Sequence, residues 1–428
     1  MGRRLVLITG GLLITTAVVS TETTAASAAS AAAVPAQAHA HAKPVGGKKS
    51  KKRKPVRVPQ GPHFNKPTGN LQQQGSIDLY IKKLIAHSAK GSEIDLSLFR
   101  LNTEGMAKAL VAAKRRGVKV RLVLDNAAAF KHPNVLAYVK RNLGTDKRKA
   151  SWVDMCPKDR GCIAPAVPGK TGEFGAKNHN KFYLFSHTYD SRNVLVQTSG
   201  NATGGMYAQW NDSITLTDRK LYDAYRGYFY ALSKHKANGN YFREVRSGST
   251  KVSFFPKATG DPIVYDLNKV RCTGGTRIRL SSGIFDRAEV AKKLSDLDAA
   301  GCEVQVVSGS IGVPARKELS RGGPHGGADV RFFDNQAASA HSKYLLIDGY
   351  YDGRRRKVVL TGSHSYTNAA LRHNDEAMVT LENATVHDAY VGNFNQVFGL
   401  AKGRLRITPW LVNENVPTAP EGAVDDDS

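Results

Sequence analysis

Hydrophobic residues recur along the middle of this chain with two periods, and the same order of periods occurs twice. Spacings of three and four positions predict amphipathic helices, and alternation predicts strands. In the first copy they predict a helix from Ile77, Ile81, Leu84 and Ile85 and a strand from Ile94, Leu96 and Leu98. A second helix follows from Met106, Leu110 and Val111, and a second strand from Val118, Val120, Leu122 and Leu124. In the second copy they predict a strand, a helix and a strand, from Ile278 and Leu280; Val290, Leu294 and Leu297; and Val304 and Val306.

The two copies keep one internal register. Gly301 follows Gly117 by 184 positions, each as the predicted end of a helix, and Ile278 follows Ile94 by the same interval. Alternating strands and helices predict an α/β fold with a largely parallel sheet. We therefore expect two similar lobes, over residues 71–255 and 256–412. Each would be a mostly parallel sheet flanked by helices, and a pseudo-two-fold axis would relate them.

Both ends of the chain have the composition of segments outside the lobes. Arg3 and Arg4 precede an apolar run and then Ala-rich sequence, which is typical of a signal peptide over residues 1–40. A membrane anchor is the alternative, but the run falls short of the ~20 residues that a spanning helix needs. We expect a secreted protein without a transmembrane segment in the mature chain. Residues 41–70, basic and without an acid, predict a disordered linker, and residues 413–428 predict a disordered acidic tail.

Charge and cysteine content narrow the class of protein. Lys and Arg number 62 against 36 Asp and Glu, a formal charge of +26, which favours anionic partners such as nucleic acid or anionic lipid. An even number of cysteines in an exported chain predicts disulfides. Of the three possible connectivities we favour the local pairs Cys156–Cys162 and Cys272–Cys302. The alternative, a zinc site, lacks a CxxC motif or clustered histidines to support it.

A His-x-Lys segment follows each predicted β-α-β unit. The first is His179-Asn180-Lys181 and the second is His341-Ser342-Lys343, each leading into apolar sequence typical of a strand. Residues i and i+2 of a strand lie on one face, so each His would point the same way as its Lys. An imidazole beside an ammonium suits a phosphoryl group, as nucleophile or proton carrier beside a fixed charge. Asp348 has the opposite parity, so we expect it to face away as an orienting or structural residue.

Each segment is followed by another strand, a small polar turn and an acidic stretch. Ser199 and Asn201 in the first turn, and Ser363 in the second, are suited to donate hydrogen bonds to phosphate oxygens. The acidic stretches are Asn211-Asp212 and Asn374-Asp375-Glu376. A carboxylate can fix the tautomer of a histidine, so we expect Asp212, and Glu376 or Asp375, to orient the two histidines.

The second copy resembles the phospholipase D superfamily. His341, Lys343 and Asp348 fit its HxKxxxxD signature, and the sequence from Thr361 to Glu376 resembles its GSxNW…NDE stretch. The resemblance covers about residues 71–400 and implies two lobes that meet face to face, with one histidine from each in a single site. It assigns family roles to His179, Lys181, His341, Lys343, Ser199, Asn201, Ser363 and Glu376. Two positions depart from the pattern, because Ser186 replaces the first Asp and Ser365 replaces the second turn's Asn.

The resemblance implies a mechanism without a metal or another cofactor. His179 would attack phosphorus and form a phosphohistidine, and His341 would protonate the leaving alcohol and then deprotonate water. Lys181 and Lys343 would stabilise the charge on the equatorial oxygens. The assignment of His179 as the nucleophile follows the family habit, because the sequence itself is symmetric on this point.

Three functions are compatible with these features. We favour a phospholipase D that hydrolyses or transfers the phosphatidyl group of phospholipids, acting as a monomer that contacts anionic surfaces through its basic linker. A non-specific endonuclease of the same superfamily is the alternative, and the net charge favours it. The third, a non-catalytic protein that binds polyanions, is opposed by the intact His and Lys pairs.

Overall fold

The computed structural model describes residues 54–128, 132–333 and 337–407. The predicted signal peptide, the first part of the basic linker and the acidic tail lie outside these residues. The strands are β1 Gly61–Phe64, β2 Glu93–Leu98, β3 Lys119–Leu124, β4 Trp152–Met155, β5 Lys181–Thr188, β6 Ser191–Thr198, β7 Asp212–Leu216, β8 Arg243–Ser247, β9 Thr250–Phe254, β10 Val270–Arg271, β11 Arg277–Phe285, β12 Glu303–Ile311, β13 Asp329–Phe332, β14 Tyr344–Tyr351, β15 Arg354–Gly362, β16 Ala377–Glu382 and β17 Gly403–Arg404.

The helices connect and cover these strands. They are α1 Leu71–Gln74, α2 Ser76–Ala86, α3 Glu104–Arg115, α4 Pro133–Leu143, α5 Gly205–Ala208, α6 Arg219–Leu232, α7 Pro262–Leu267, α8 Ala288–Ala299, α9 Val313–Leu319, α10 Asn368–Arg372 and α11 Ala384–Leu400, with a 3-10 turn at Gly172–Phe174. None of the helices within the described ranges is long and apolar enough to span a bilayer.

Two mixed sheets form the frame of the protein. The first has the strand order β1-β7-β6-β5-β2-β3-β4, and the second β17-β13-β12-β11-β14-β15-β16-β9-β8, with β10 beside β14. The β-α-β units supply the parallel pairs, which are β2 with β3, β3 with β4, β11 with β12 and β12 with β13. The parallel part is smaller than the sequence pattern predicts, because the segments after each unit return as hairpins and add antiparallel strands. The predicted two-lobed α/β fold is confirmed.

The predicted internal register is also present. Ile94 and Ile278 are each the second residue of the first strand of their β-α-β unit, and they pair with Phe185 and Ile347 of the following antiparallel strand. The glycines after α3 and α8 have φ angles of +89° and +94°. Only glycine adopts this conformation without strain, which is why it ends both helices.

Three apolar cores separate the layers. One packs α2 and α3 on the outer face of the first sheet, and a second packs α8 and α9 on the outer face of the second. The third lies between the sheets and includes the aromatic faces of α6 and α11, among them Tyr225, Phe229, Tyr390 and Phe394. The order of layers is therefore helices, sheet, helices, sheet, helices, and the inner faces of the two lobes meet across α6 and α11.

The lobe boundaries differ from the predicted ones at two places. Gly61–Phe64, inside the predicted disordered linker, form β1 and pair with β7. The hairpin β8–β9, predicted in the first lobe, pairs through β9 with β16 of the second sheet. Strand pairing at a sheet edge satisfies main-chain groups wherever an edge is open, so sequence proximity does not decide it. Both predicted disulfides, Cys156–Cys162 and Cys272–Cys302, are confirmed.

Candidate active site

The two His-x-Lys segments lie at equivalent places and are joined to the opposite lobe. Each lies at the start of the strand, β5 or β14, that runs antiparallel to the first strand of its β-α-β unit. The main-chain N–H of His179 donates to the carbonyl of Asp375 (3.0 Å), and that of His341 donates to the carbonyl of Trp210 (2.9 Å). Both imidazoles are buried. Main-chain hydrogen bonds thus fix each histidine against the other half of the molecule.

The carboxylate of Glu376 holds His179. Its Oε1 lies 2.8 Å from Nδ1 of His179, and its Oε2 accepts from the hydroxyl of Ser363 at 2.6 Å. Both oxygens act as acceptors in these contacts, and with Nδ1 as the donor, Nε2 of His179 keeps its lone pair. Burial raises the pKa of Glu376 well above its usual range, and the charges of Lys181 and Lys343 act against this.

An amide holds the second histidine. Oδ1 of Asn211 lies 2.6 Å from Nδ1 of His341. The Nδ2 group of Asn211 donates to the carbonyls of Met206 and Gln209, each at 3.1 Å, so the amide oxygen must face the imidazole. Nδ1 of His341 therefore donates as well. The two histidines share a tautomer but have different partners, a carboxylate for one and a neutral amide for the other.

The prediction that Asp212 orients a histidine is wrong. Its carboxylate instead accepts hydrogen bonds from Thr361 and Tyr390 of the other lobe. The main-chain N–H of Ser199 donates to the carbonyl of Asp212, and that of Ser363 donates to Ala377. Asp212 is therefore equivalent to Ala377, one position beyond the orienting residue, and its side chain falls on the opposite face of the strand.

Asn211 is the functional residue that sequence reasoning missed. It lies 12 positions after Ser199, whereas Glu376 lies 13 positions after Ser363. The turns thus differ by one residue, and matching the Asn-Asp pairs of the two copies misaligns them. The pairing register at the start of β7 and of β16 gives the correct match between the two copies. This register cannot be read from the spacing of residues in the sequence.

The two lysines lie beside the histidines. Nζ of Lys181 donates to the carbonyl of His179 at 3.0 Å. Nζ of Lys343 lies 2.8 Å from the carbonyl of His341 and 2.9 Å from its Nε2. Both side chains are buried, and both charges act on one carboxyl, that of Glu376, where they oppose the larger effect of burial on its pKa. The two motifs therefore converge on a single site with two imidazoles and two ammonium groups.

The remaining predicted site residues take other places. Asp348 lies on β14 opposite Arg277 and Lys357. It is five positions beyond Lys343, about 16 Å along a strand, so it does not reach the phosphate position. Ser186, which replaces the corresponding Asp of the first copy, accepts from the N–H of Glu93 at 2.8 Å. Both residues therefore belong to the sheet and not to the phosphate site.

The polar turns support the orienting groups. The hydroxyl of Ser199 lies 3.4 Å from Oδ1 of Asn211 and 3.2 Å from the carbonyl of Asp212. Asn201 is buried, and its Oδ1 accepts from the N–H of Arg100 at 3.3 Å. In this structure Ser199, like Ser363, braces the side chain that holds a histidine.

Several cationic side chains of the first lobe lie around one aromatic ring, that of Phe99. Phe99 is buried, and its ring centroid lies 5.1 Å from that of His179 and 5.2 Å from Nζ of Lys181. Arg100 and Lys177 also lie against this ring, at 4.4 and 5.8 Å. The positions 184 residues later, Gly283 and Ile284, carry no charge, so Arg100 has no charged counterpart at the equivalent place in the second lobe.

A cleft opens next to the site. It encloses about 480 Å³ between the 170–175 segment and the ends of β11 and β12, and its walls include Phe174, Val313, Pro314 and His373. Phe174 and Val313 are 40% and 52% exposed. Asn374, which follows His373, donates to Oε1 of Glu376 at 3.4 Å, so this segment connects the wall of the cleft to the carboxylate that holds His179.

One group of potential metal ligands occurs among the described residues. The sulfurs of Cys156 and Cys162 and the carboxylate of Asp375 lie within 4.8 Å of one another. The two cysteines form a disulfide and offer no thiolates, so this group lacks the ligand chemistry of a metal site.

Comparison with known proteins agrees with this geometry. The family model described as "Cardiolipin synthase, PLD-like domain" matches residues 81–233 and 271–398, more than half of the chain. The two matched stretches correspond to the two lobes. No match was found among the curated protein sequences.

Solved structures share the fold at low identity. Phosphatidylserine synthase from Haemophilus influenzae has a TM-score of 0.56 and 14% identity, over 78% of this chain and 86% of that one. Polyphosphate kinase from Porphyromonas gingivalis has a TM-score of 0.51 and 15% identity, over 78% of this chain and 49% of that one. The chain thus spans about half the length of that kinase. With two lobes, two His-x-Lys motifs in one site and a matching family model, the chain belongs to the phospholipase D superfamily.

Proposed function

We propose that this chain is a secreted phospholipase D that hydrolyses or transfers the phosphatidyl group of phospholipids through a phosphohistidine. The observation that carries this proposal is the crossed arrangement of the site. Each buried histidine is held at Nδ1 by a side chain of the other lobe, and each has a lysine beside it. Superfamily members share phosphodiester chemistry, and the lipid substrate is our inference.

His179 is suited to be the nucleophile. Glu376 accepts its Nδ1 proton and makes Nε2 electron-rich, so Nε2 can attack phosphorus while the bond to the leaving alcohol breaks. The carboxylate also stabilises the positive imidazole ring that exists in the phosphohistidine. The asymmetry between Glu376 and Asn211 thus favours the first histidine on grounds that the sequence alone does not provide.

His341 is suited to carry protons. An amide partner stabilises an imidazolium less than a carboxylate does, so the proton on Nε2 is more readily given to the leaving alkoxide. The neutral ring then takes a proton from water, which attacks the phosphohistidine and releases phosphatidic acid. Lys181 and Lys343 neutralise the charge that develops on the phosphoryl oxygens.

The cleft favours a lipid substrate. Exposed Phe174 and Val313 on its rim are suited to contact acyl chains or the surface of a bilayer. The formal charge of +26 equally suits an anionic lipid surface and nucleic acid, which is why the nuclease remains the second candidate. Two disulfides among the described residues support export, because such bonds persist in oxidising compartments.

A paired assay tests the proposal. The full chain is incubated with phosphatidylcholine vesicles and, separately, with supercoiled plasmid, and His341→Ala serves as the inactive control. We expect phosphatidic acid and choline from the vesicles, and phosphatidylethanol when ethanol is present. Plasmid cleavage without lipid turnover would favour the nuclease. Binding to both without turnover would favour the non-catalytic alternative.

A further inference from the structure

Asp375 is a buried residue that connects the second lobe to the first. Its main-chain N–H donates to the carbonyl of Lys177 at 2.8 Å, and its carbonyl accepts from the N–H of His179 at 3.0 Å. Trp210 occupies the equivalent position in the other half, and it makes the equivalent main-chain contacts there. Because Trp210 has no acidic group, the carboxylate of Asp375 has no counterpart at the equivalent position.

Three consecutive main-chain groups bind this carboxylate. The N–H of Ala164 lies 2.7 Å from Oδ1, and that of Ile163 lies 3.1 Å from Oδ2. The N–H of Cys162 also bonds to it. Successive N–H groups that converge in this way form an anion nest. Burial raises the pKa of Asp375 to about 7, against the lowering effect of these three N–H groups.

The Cys156–Cys162 disulfide closes the segment that builds the nest. Both cysteines are buried, and the nest begins at the second of them. The segment fits closely, because a Cβ added to Gly161 would lie 2.6 Å from Oδ2 of Asp375. The disulfide, the nest and the carboxylate thus form one continuous structure that ends at the main chain of His179.

We propose that Asp375 is a positioning residue for His179 and that the Cys156–Cys162 disulfide holds it in place, so that activity depends on the oxidation of this disulfide. A dithiol reductant would break the S–S bond, leave two thiols and itself become a disulfide. The opened segment would no longer keep its N–H groups on the carboxylate. His179 would lose its fixed place relative to Lys181. The inference rests on the proposed role of His179 as the nucleophile.

The second disulfide supplies a matched control. Cys302 directly precedes β12, at the end of the strands opposite to the end where the histidines lie. We expect Cys156→Ser/Cys162→Ser to lower kcat on a soluble phosphodiester about a hundredfold with KM within about threefold, since a small misplacement of a reacting group costs that much. Cys272→Ser/Cys302→Ser should keep kcat within about twofold, measured below its unfolding temperature.

A double-mutant cycle separates positioning from general destabilisation. Asp375→Asn removes the charge that the nest binds. If the disulfide acts through this carboxylate, Asp375→Asn added to Cys156→Ser/Cys162→Ser lowers kcat little further. Full multiplication of the two effects would overturn the proposal, as would an unchanged kcat in the oxidised and the reduced protein.

A second readout does not depend on activity. Hydrogen exchange of the peptide that contains His179 reports its N–H bond to Asp375. This amide should be protected in the full chain and in Cys272→Ser/Cys302→Ser, and it should exchange at least tenfold faster in Cys156→Ser/Cys162→Ser. Equal protection in all three proteins would overturn the inference, whatever substrate the enzyme uses. Absence of lipid turnover in the parent protein, together with the expected differences in protection, would count against the proposed function alone.

Discussion

The Nδ1 atom of His179 lies 2.8 Å from Oε1 of Glu376, although 197 positions separate the two residues and each belongs to a different lobe. His341 and Asn211, which are 130 positions apart, make the corresponding contact between the lobes. Neither lobe alone contains a complete histidine site. The chemistry therefore depends on the packing of the two lobes, which the core between the sheets fixes.

Removing the charge of Glu376 should disable the nucleophile. Glu376→Gln keeps the size of the side chain but replaces the acceptor that fixes the His179 tautomer. We expect kcat to fall about 10²–10⁴-fold, the range typical of such assistance, with a smaller change in KM. Steady-state kinetics on a soluble phosphodiester measure this. A variant within fivefold of the parent would contradict the proposed role of Glu376.

Asp212→Asn is the informative comparison. The structure places Asp212 on Thr361 and Tyr390, away from both imidazoles. We expect this variant to lose stability, about 1–3 kcal/mol for a disturbed buried hydrogen bond, and to keep kcat within about fivefold at low temperature. Thermal unfolding and kinetics on the same preparation test this. A loss of kcat as large as that of Glu376→Gln would restore Asp212 as an orienting residue.

Asn211→Asp should change the pH dependence of the reaction. A carboxylate at this position would stabilise the protonated form of His341, as Glu376 does for His179. We expect the alkaline limb of the kcat/KM profile to move to higher pH by about one unit. We also expect phosphohistidine hydrolysis at neutral pH to slow, because more of His341 would be protonated and unable to take a proton from water. An unmoved alkaline limb would show that His341 is not the group titrating there.

The exposed apolar residues of the cleft should matter only at a lipid surface. Phe174→Ser/Val313→Ser removes two exposed large apolar side chains of its rim. We expect at least a tenfold loss of turnover on vesicles and less than a twofold loss on a soluble phosphodiester. A matched change elsewhere, Leu79→Ser on α2, where the side chain is 38% exposed, should affect neither assay. Equal losses on both substrates would contradict a lipid-contacting rim.

Asp125 provides a test of pH-dependent stability. It is buried, accepts from the N–H groups of Ala127 and Asn178, and burial raises its pKa to about 6. The folded state therefore holds its proton more tightly than the unfolded chain, whose Asp titrates near 3.9. The stability from this group is complete below about pH 4 and is lost as the pH rises through 6.

The comparison of the parent with Asp125→Asn isolates this effect. The difference in unfolding free energy between the two proteins should fall by up to about 3 kcal/mol between pH 4 and pH 7. Denaturant unfolding at several pH values measures it. A difference that stays constant or grows with pH would mean that Asp125 is ionised throughout this range.

Much of the fold could be predicted because it follows from the local spacing of apolar residues. The apolar spacing places α3 and β3, and the 184-residue offset of Gly117 and Gly301 reveals the repeat. Both histidines and both lysines were found because the repeat doubles a short motif. These features depend on neighbouring positions along the chain, which a sequence pattern contains.

The features that escaped prediction depend on pairing between distant segments. The hairpin β8–β9 joins the second sheet because β16 offers an edge, which no local pattern records. Asn211 was missed because one extra residue in the second turn shifts the alignment of the acidic stretches. The nest around Asp375 joins residues 211 and 212 positions apart. Sequence spacing carries no signal for such contacts.

Trapping the intermediate shows whether His179 carries the phosphoryl group during the reaction. A phosphodiester labelled at phosphorus and bearing a p-nitrophenyl leaving group needs little protonation, so the first step should partly survive in His341→Ala. Water activation should not survive in that variant. Because phosphohistidine is labile in acid, the reaction is quenched with base before peptide mapping. We expect the label to accumulate on the peptide that contains His179.

The same experiment on His179→Ala completes the test. We predict no labelled protein from this variant, although it should still bind the substrate. Label on His341, with none on His179, would reverse the assignment of the two histidines. The absence of label from every variant, in an enzyme that turns the substrate over, would contradict the phosphohistidine mechanism itself.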